Sequence, residues 1–185
     1  MQRMILALVI ILALAALALP ASVFGTANTV TCTVSAEGQV GVEVYDGSVD
    51  YGALPHCAIK NTAMWDATYN PYGMNTTQTQ TIYNIGNVNE NFEIKTSQAV
   101  GATNWSLLDP AGFNVFTHKY NVGATMYNAT GPIPFTIFAN YNYVLVATNI
   151  TPLDARYLEL QIGMPTATSD AGNHTITVTI RATQS

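Results

Sequence analysis

The sequence predicts an all-β chain: an antiparallel β-sandwich, jelly-roll or immunoglobulin-like, of about eight to ten short strands behind a cleaved signal peptide. Three observations predict it. Apolar residues recur at every second position in short runs, no stretch after residue 27 has a helical period, and turn-forming clusters such as AEG, DG, NPYG, DPAG, TGP and SDAGN separate the runs. Alternation of this kind gives each strand one apolar and one solvated face, as two antiparallel sheets packed face to face require.

Residues 1–27 read as the signal peptide. MQRM supplies the positive n-region, and ILALVIILALAALAL is an apolar run of about fifteen residues, shorter than the roughly 20 that cross a bilayer. Small residues spaced for signal peptidase, Val23-Phe24-Gly25 and Gly25-Thr26-Ala27, place cleavage after Gly25 or Ala27. A retained signal anchor is the alternative. No cysteine directly follows the cleavage site, as a lipoprotein requires, and no charged-then-small pair precedes the apolar run, as pilin processing requires. Residues 28–185 are then expected to be a single exported domain, secreted or at the cell surface, with no stable membrane span after cleavage.

The strands follow in order. Thr29 to Ser35 alternates Val30, Cys32 and Val34 against threonines, and Gln39 to Tyr45 repeats the pattern with Val40, Val42 and Val44. Weaker candidates are Ser48 to Leu54, Thr77 to Tyr83, Asn91 to Ser97, Asn104 to Leu108, Phe113 to Tyr120, and Ile133 to Thr148, which holds two strands. Tyr157 to Ile162 sets Leu158, Leu160 and Ile162 against Tyr157, Glu159 and Gln161, whose face is expected to be solvated. His174 to Arg181 sets Ile176, Val178 and Ile180 against threonines. The longest irregular stretch, His56 to Met74, is expected to be a surface loop tied at Cys57.

The chain has a net charge of -5, and charged residues make up only 9% of it. With so few cations nothing would neutralise phosphates, so nucleic acid is excluded as a partner. A surface solvated by hydroxyls and amides has little charge repulsion to oppose self-association.

Two cysteines in an exported chain are expected to form one disulfide, Cys32 to Cys57, closing a loop of about 25 residues worth roughly 3 kcal/mol. Two free thiols are the alternative. His56, His118 and His174 have no nucleophile-elbow sequence beside them, and no catalytic or metal-ligating residue is assigned. A copper site would need a His, or a close Met, just after the Cys; Cys57 is followed by AIKNTAM. Asp46, Asp50 and Asp66 lie where turns place aspartates. The reading is of a non-enzyme without cofactors. Trp65, Tyr69 and Tyr72 are expected to cap one end of the core, with a sugar-stacking platform as their alternative use. Asn75, Asn104, Asn128, Asn149 and Asn173 each begin an N-x-S/T sequon and are candidate glycosylation sites.

The stretch YNIGNVNENFEI, Tyr83 to Ile94, concentrates Asn84, Asn87, Asn89 and Asn91. It lacks the alternating carboxylates of a calcium loop, and none of its asparagines begins a sequon. It reads as the connection between two strands, with Gly86 expected to supply a left-handed conformation.

The run SVDYGAL, TQTIYNIGNVNENFEIKTS, NWSLL and LELQIGMPTATSDAGNHTITVTIRA resembles small exported β-sandwich surface proteins of archaea and bacteria. More distantly it is similar to the TasA and camelysin group of matrix fibre proteins and archaeal bundling pilins. The resemblance implies a secreted structural subunit of an extracellular filament, pilus or biofilm matrix, with copies of itself as partner and other surface proteins or glycans as further partners. It also implies assembly by donor-strand complementation, in which a strand of one subunit fills a groove in the next. The N-terminal strand 28–35, with Val30, Cys32 and Val34, is the candidate donor. Two arrangements stay open: insertion into a neighbour with an intermolecular bridge to Cys57, or a hairpin with Gln39 to Tyr45 and an internal bridge. The alternative function is a secreted carbohydrate-binding or adhesive module using Trp65, Tyr69 and Tyr72.

Overall fold

A computed structural model describes residues 37–128 and 131–185. The expected signal peptide and the expected donor strand, with Val30, Cys32 and Val34, lie outside those residues. The described chain holds ten strands and no helix, arranged as a β-sandwich. In order they are β1 (Val42–Tyr45), β2 (Ile59–Asn61), β3 (Gln80–Asn84), β4 (Glu90–Thr96), β5 (Ser106–Leu107), β6 (Val115–Gly123), β7 (Thr136–Ile137), β8 (Val144–Ile150), β9 (Ala155–Gly163) and β10 (Val178–Gln184).

The larger sheet runs β1-β3-β9-β6-β5, with β2 beside β9 and β7 beside β6; the smaller runs β10-β4-β8. Pairing between strands is antiparallel throughout except β5 with β6. Period-two alternation explains why the sheets meet. On β4 every second residue is buried, Glu90, Phe92, Ile94 and Thr96. On the facing sheet β9 contributes Leu158, Leu160 and Ile162, in register with Val122, Tyr120 and His118 of β6. Phe92, Ile94, Phe116, Leu158 and Ile162 belong to one apolar cluster with Ile82, Phe138 and Ile150. Each such side chain contributes about 1.5–3 kcal/mol by leaving water.

Three expectations are corrected. Ser48 to Leu54 is not a strand: Asp46, Gly47 and Gly52 all take positive φ, and Asp50 accepts from the amide of Gly52. The side chains of Gln78 and Gln80 bond Asp50 N and Ser48 O, supplying the contacts a neighbouring strand would have made. The irregular stretch His56 to Met74 contains β2, which pairs with the end of β9. The last strand begins at Val178 rather than His174, because Thr175 pairs with Val100 and Thr177 with Ser97, beyond the point where β4 ends.

Candidate functional site

The asparagine-rich connection from β3 to β4 uses its amides within the fold. Asn84 is fully buried; its Nδ2 donates to Val88 O and Ile150 O, and its Oδ1 accepts from Gly86 N. Asn87 bonds Gln39 N and Glu37 O through its two side-chain atoms. Asn89 donates to Asn149 Oδ1, and Asn91 accepts from Asn149 N, where the β4–β8 register is irregular and Asn149 has a φ of 54°. Glu90, also buried, accepts from Gly41 N at 2.6 Å. Gly86 is not left-handed as expected. Glycine is required there because a Cβ would run into Glu90 Oε1 and Gln39 O. The turn therefore grips the incoming segment 37–41 and, through Asn89 O, the C-terminal Ser185.

That grip fixes where the chain enters the domain, beside a flank that the two sheets leave half covered. β1 ends one sheet and β10 ends the other, so each has one edge without a strand partner among the described residues. Val178, Ile180 and Ala182 of β10 stand opposite Thr96, Ile94 and Phe92, and Val42 of β1 stands opposite Asn84. They share the inward face of those buried partners yet are only half-buried. The two terminal strands thus present unpaired backbone groups beside half-buried apolar side chains.

A second feature is the loop between β2 and β3. Glu159, on the face of β9 expected to be solvated, is only 2% exposed. Its two carboxylate oxygens accept from Thr62 Oγ1 and Thr79 Oγ1, each at 2.5 Å, so one side chain ties both ends of the loop. Burial pushes the Glu159 carboxyl above its ordinary range, and the two threonine hydroxyls oppose that shift. Tyr51, its hydroxyl buried without a hydrogen-bond partner, is pushed up by burial and by the nearby Glu159 charge. Within the loop, Asn70 exchanges hydrogen bonds with Asn61 and donates to Met64 O. Gly73 lies so close to Trp65 that a Cβ would stand 2.5 Å from its backbone N and Cα. Glu159 thus ties the loop between β2 and β3 at both ends.

Trp65, Tyr69 and Tyr72 are 56%, 43% and 47% exposed, so they do not cap the core as expected. The buried amides below them satisfy the backbone, leaving the rings outside. Asp66, next to Trp65 in the chain, uses its Oδ1 to accept from Thr68 N and Tyr69 N.

The remaining candidates are structural in placement. Cys57 is a free, exposed thiol with a φ of 62°, and its amide bonds Pro165 O; no disulfide is formed at this residue, and Cys32 lies outside the described residues. His118 is 1% exposed between Phe116 and Phe138, with Nδ1 at 2.8 Å from Thr96 Oγ1, and burial lowers its pKa to about 3. His174 stacks on Trp105 at 3.6 Å and bonds Thr103 O and Gly172 O. All five sequon asparagines are exposed. Among the described residues no three His, Cys, Asp or Glu side chains gather into a metal-capable cluster, and no helix is long and apolar enough to cross a membrane.

Sequence reasoning missed Glu159, Asn70 and Asn61. The signal available for Glu159 was weak: a carboxylate at a strand position whose neighbours on that face, Tyr157 and Gln161, are uncharged. No protein-family model, curated protein or solved structure matches the chain.

Proposed function

We propose that the protein is a secreted structural subunit of an extracellular filament, pilus or biofilm matrix, and that residues 28–35 of one copy fill the flank between β1 and β10 of the next. The supporting observation is that flank: unpaired edges of both sheets beside inward-facing Val42, Val178, Ile180 and Ala182, all half-buried. An added strand with Val30 and Val34 on one face would complete the apolar row and give its backbone a ladder partner. Head-to-tail insertion of this kind does not close on itself, so it propagates a fibre. The low charge of the chain leaves little repulsion between copies.

The position of Cys57 fits an intermolecular bridge to Cys32. Cys57 lies by Pro165, past the C-terminal end of β9, whereas Gln39 is held by the asparagine turn near the opposite end of that strand. β2 pairs with β9 at the same lateral position as β3, so Cys57 is on the β1 side of the sheet.

Electron microscopy of the mature protein tests the reading. Regular fibres are expected from the native chain, and monodisperse particles from the Val30→Asp, Val34→Asp double variant. Monodisperse native protein under varied salt and concentration overturns the proposal. Non-reducing electrophoresis of native fibres reports on the bridge, since a ladder of covalent multimers is expected and a purely monomeric band removes the covalent link.

A further inference from the structure

We propose that Asn75 is a carbohydrate attachment site and that the first pyranose of its glycan lies against the exposed rings of Tyr72 and Trp65. This inference rests on the proposed export of the chain but not on the filament reading, since it concerns the loop between β2 and β3 and not the β1–β10 flank.

Five sequons compete, and their surroundings separate them. Asn149 is committed to the fold through both its amide and its side-chain oxygen. Asn104 accepts from Gly101 N, and its aromatic neighbour Trp105 is buried beneath His174. Asn173 is exposed, but the ring that follows it, His174, is the one stacked on Trp105. Asn128 begins a sequon that runs into residues 129–130, outside the described set. Asn75 differs from Asn173 in having exposed rings, those of Tyr72 and Trp65, on its own loop. It is exposed, as are Thr76 and Thr77, and its carboxamide makes no hydrogen bond within the described protein. Tyr72 precedes it by three residues, and Trp65 N donates to the carbonyl of Met74, the residue next to Asn75, at 2.7 Å.

The loop has the properties a sugar-stacking surface needs. Its aromatic rings are exposed while its backbone is fixed by Asn70, Gly73 and the Glu159 clamp, so little ordering entropy is lost on contact. The C–H face of a pyranose is apolar and its rim is hydroxylated, matching exposed aromatic rings with polar tips. In the attachment step, Asn75 Nδ2 bonds the anomeric carbon of a glycan carried on a polyprenyl diphosphate. The diphosphate leaves with the electron pair of the broken C–O bond, and the amide nitrogen loses a proton.

The test is peptide mapping by mass spectrometry of protein purified from the cells that produce it, followed by proton NMR of the intact glycoprotein. A glycan mass on the Asn75 peptide is expected, absent in Asn75→Gln, with ring protons of the first sugar displaced upfield and that displacement lost in Tyr72→Ala. An unmodified Asn75, with or without sugar at the other sequons, overturns the proposal. So does an occupied Asn75 whose sugar protons show no displacement. Titration of unglycosylated protein with neutral oligosaccharides separates the source: with Asn75 unmodified, binding abolished by Trp65→Ala and Tyr72→Ala assigns the surface to an external sugar and removes the attachment site.

Discussion

The asparagine turn 84–91 and the aromatic loop 62–79 are both built from neutral amides, yet they use them in opposite ways. In the turn every asparagine side chain finds its partner inside the chain, on Val88, Ile150, Gln39, Glu37 or Asn149. Around the loop, buried Asn61, Asn70 and Glu159 supply the buried side-chain ties, while the rings of Trp65, Tyr69 and Tyr72 remain outside. A dense run of amides is therefore no sign of a binding site. The loop instead leaves large rings exposed on a backbone fixed from beneath.

The largest test of this contrast is Asn84→Ala. It leaves Val88 O, Ile150 O and Gly86 N without their buried partner, and a loss of about 3 kcal/mol is expected in urea unfolding. A loss below 1 kcal/mol would mean that water replaces the side chain and the turn is not the anchor described. The loop offers a paired comparison of intermediate size. Asn70→Ala is expected to lose about 2 kcal/mol and to open the loop to protease, whereas Trp65→Ala and Tyr72→Ala, removing exposed rings, should each stay within about 0.5 kcal/mol. Equal losses from Asn70→Ala and Trp65→Ala would show that the rings are part of the packing.

The smallest effect is a pH dependence confined to one of the two regions. Burial raises the Glu159 carboxyl above its ordinary range in the folded protein. A raised acid favours the folded state below its unfolded pKa, and that contribution is lost as pH rises through the folded value. Hydrogen-exchange protection of the 62–79 loop, corrected for intrinsic rates, should therefore fall as pH rises through that range. Protection of the turn should not follow it, and Glu159→Gln should remove the dependence. A dependence that survives in Glu159→Gln would place its origin elsewhere.

Much of the fold could be read locally. The sequence pattern located β3, β4, β6 and β9 to within a few residues and placed two strands in the stretch that holds β7 and β8, and the DG and DPAG clusters fell between strands. Where local reading failed, a contact distant in sequence had replaced the local preference. The alternating Ser48 to Leu54 became a turn because two glutamine side chains took the place of a strand neighbour. Sequence alone suggests conformational freedom at Gly86, but its role is to let Glu90 and Gln39 approach. Large rings usually bury, which points Trp65, Tyr69 and Tyr72 toward a core cap, and nothing local reveals that Asn70 supports the loop from beneath.

The sequence by itself determined that the described chain would be strands with one apolar face, since side-chain direction alternates along any extended backbone and hydrophobic burial follows that alternation. The tertiary structure alone decided which second faces are covered. Glu159 is buried by Thr62 and Thr79, 97 and 80 residues away along the chain, while Val178 and Ile180 stay half-covered because neither sheet continues beyond β1 and β10 among the described residues. A period of two specifies what points inward, but what lies on the other side of a strand depends on where distant loops return. That return set both the closed loop under the aromatic rings and the open flank beside the incoming chain.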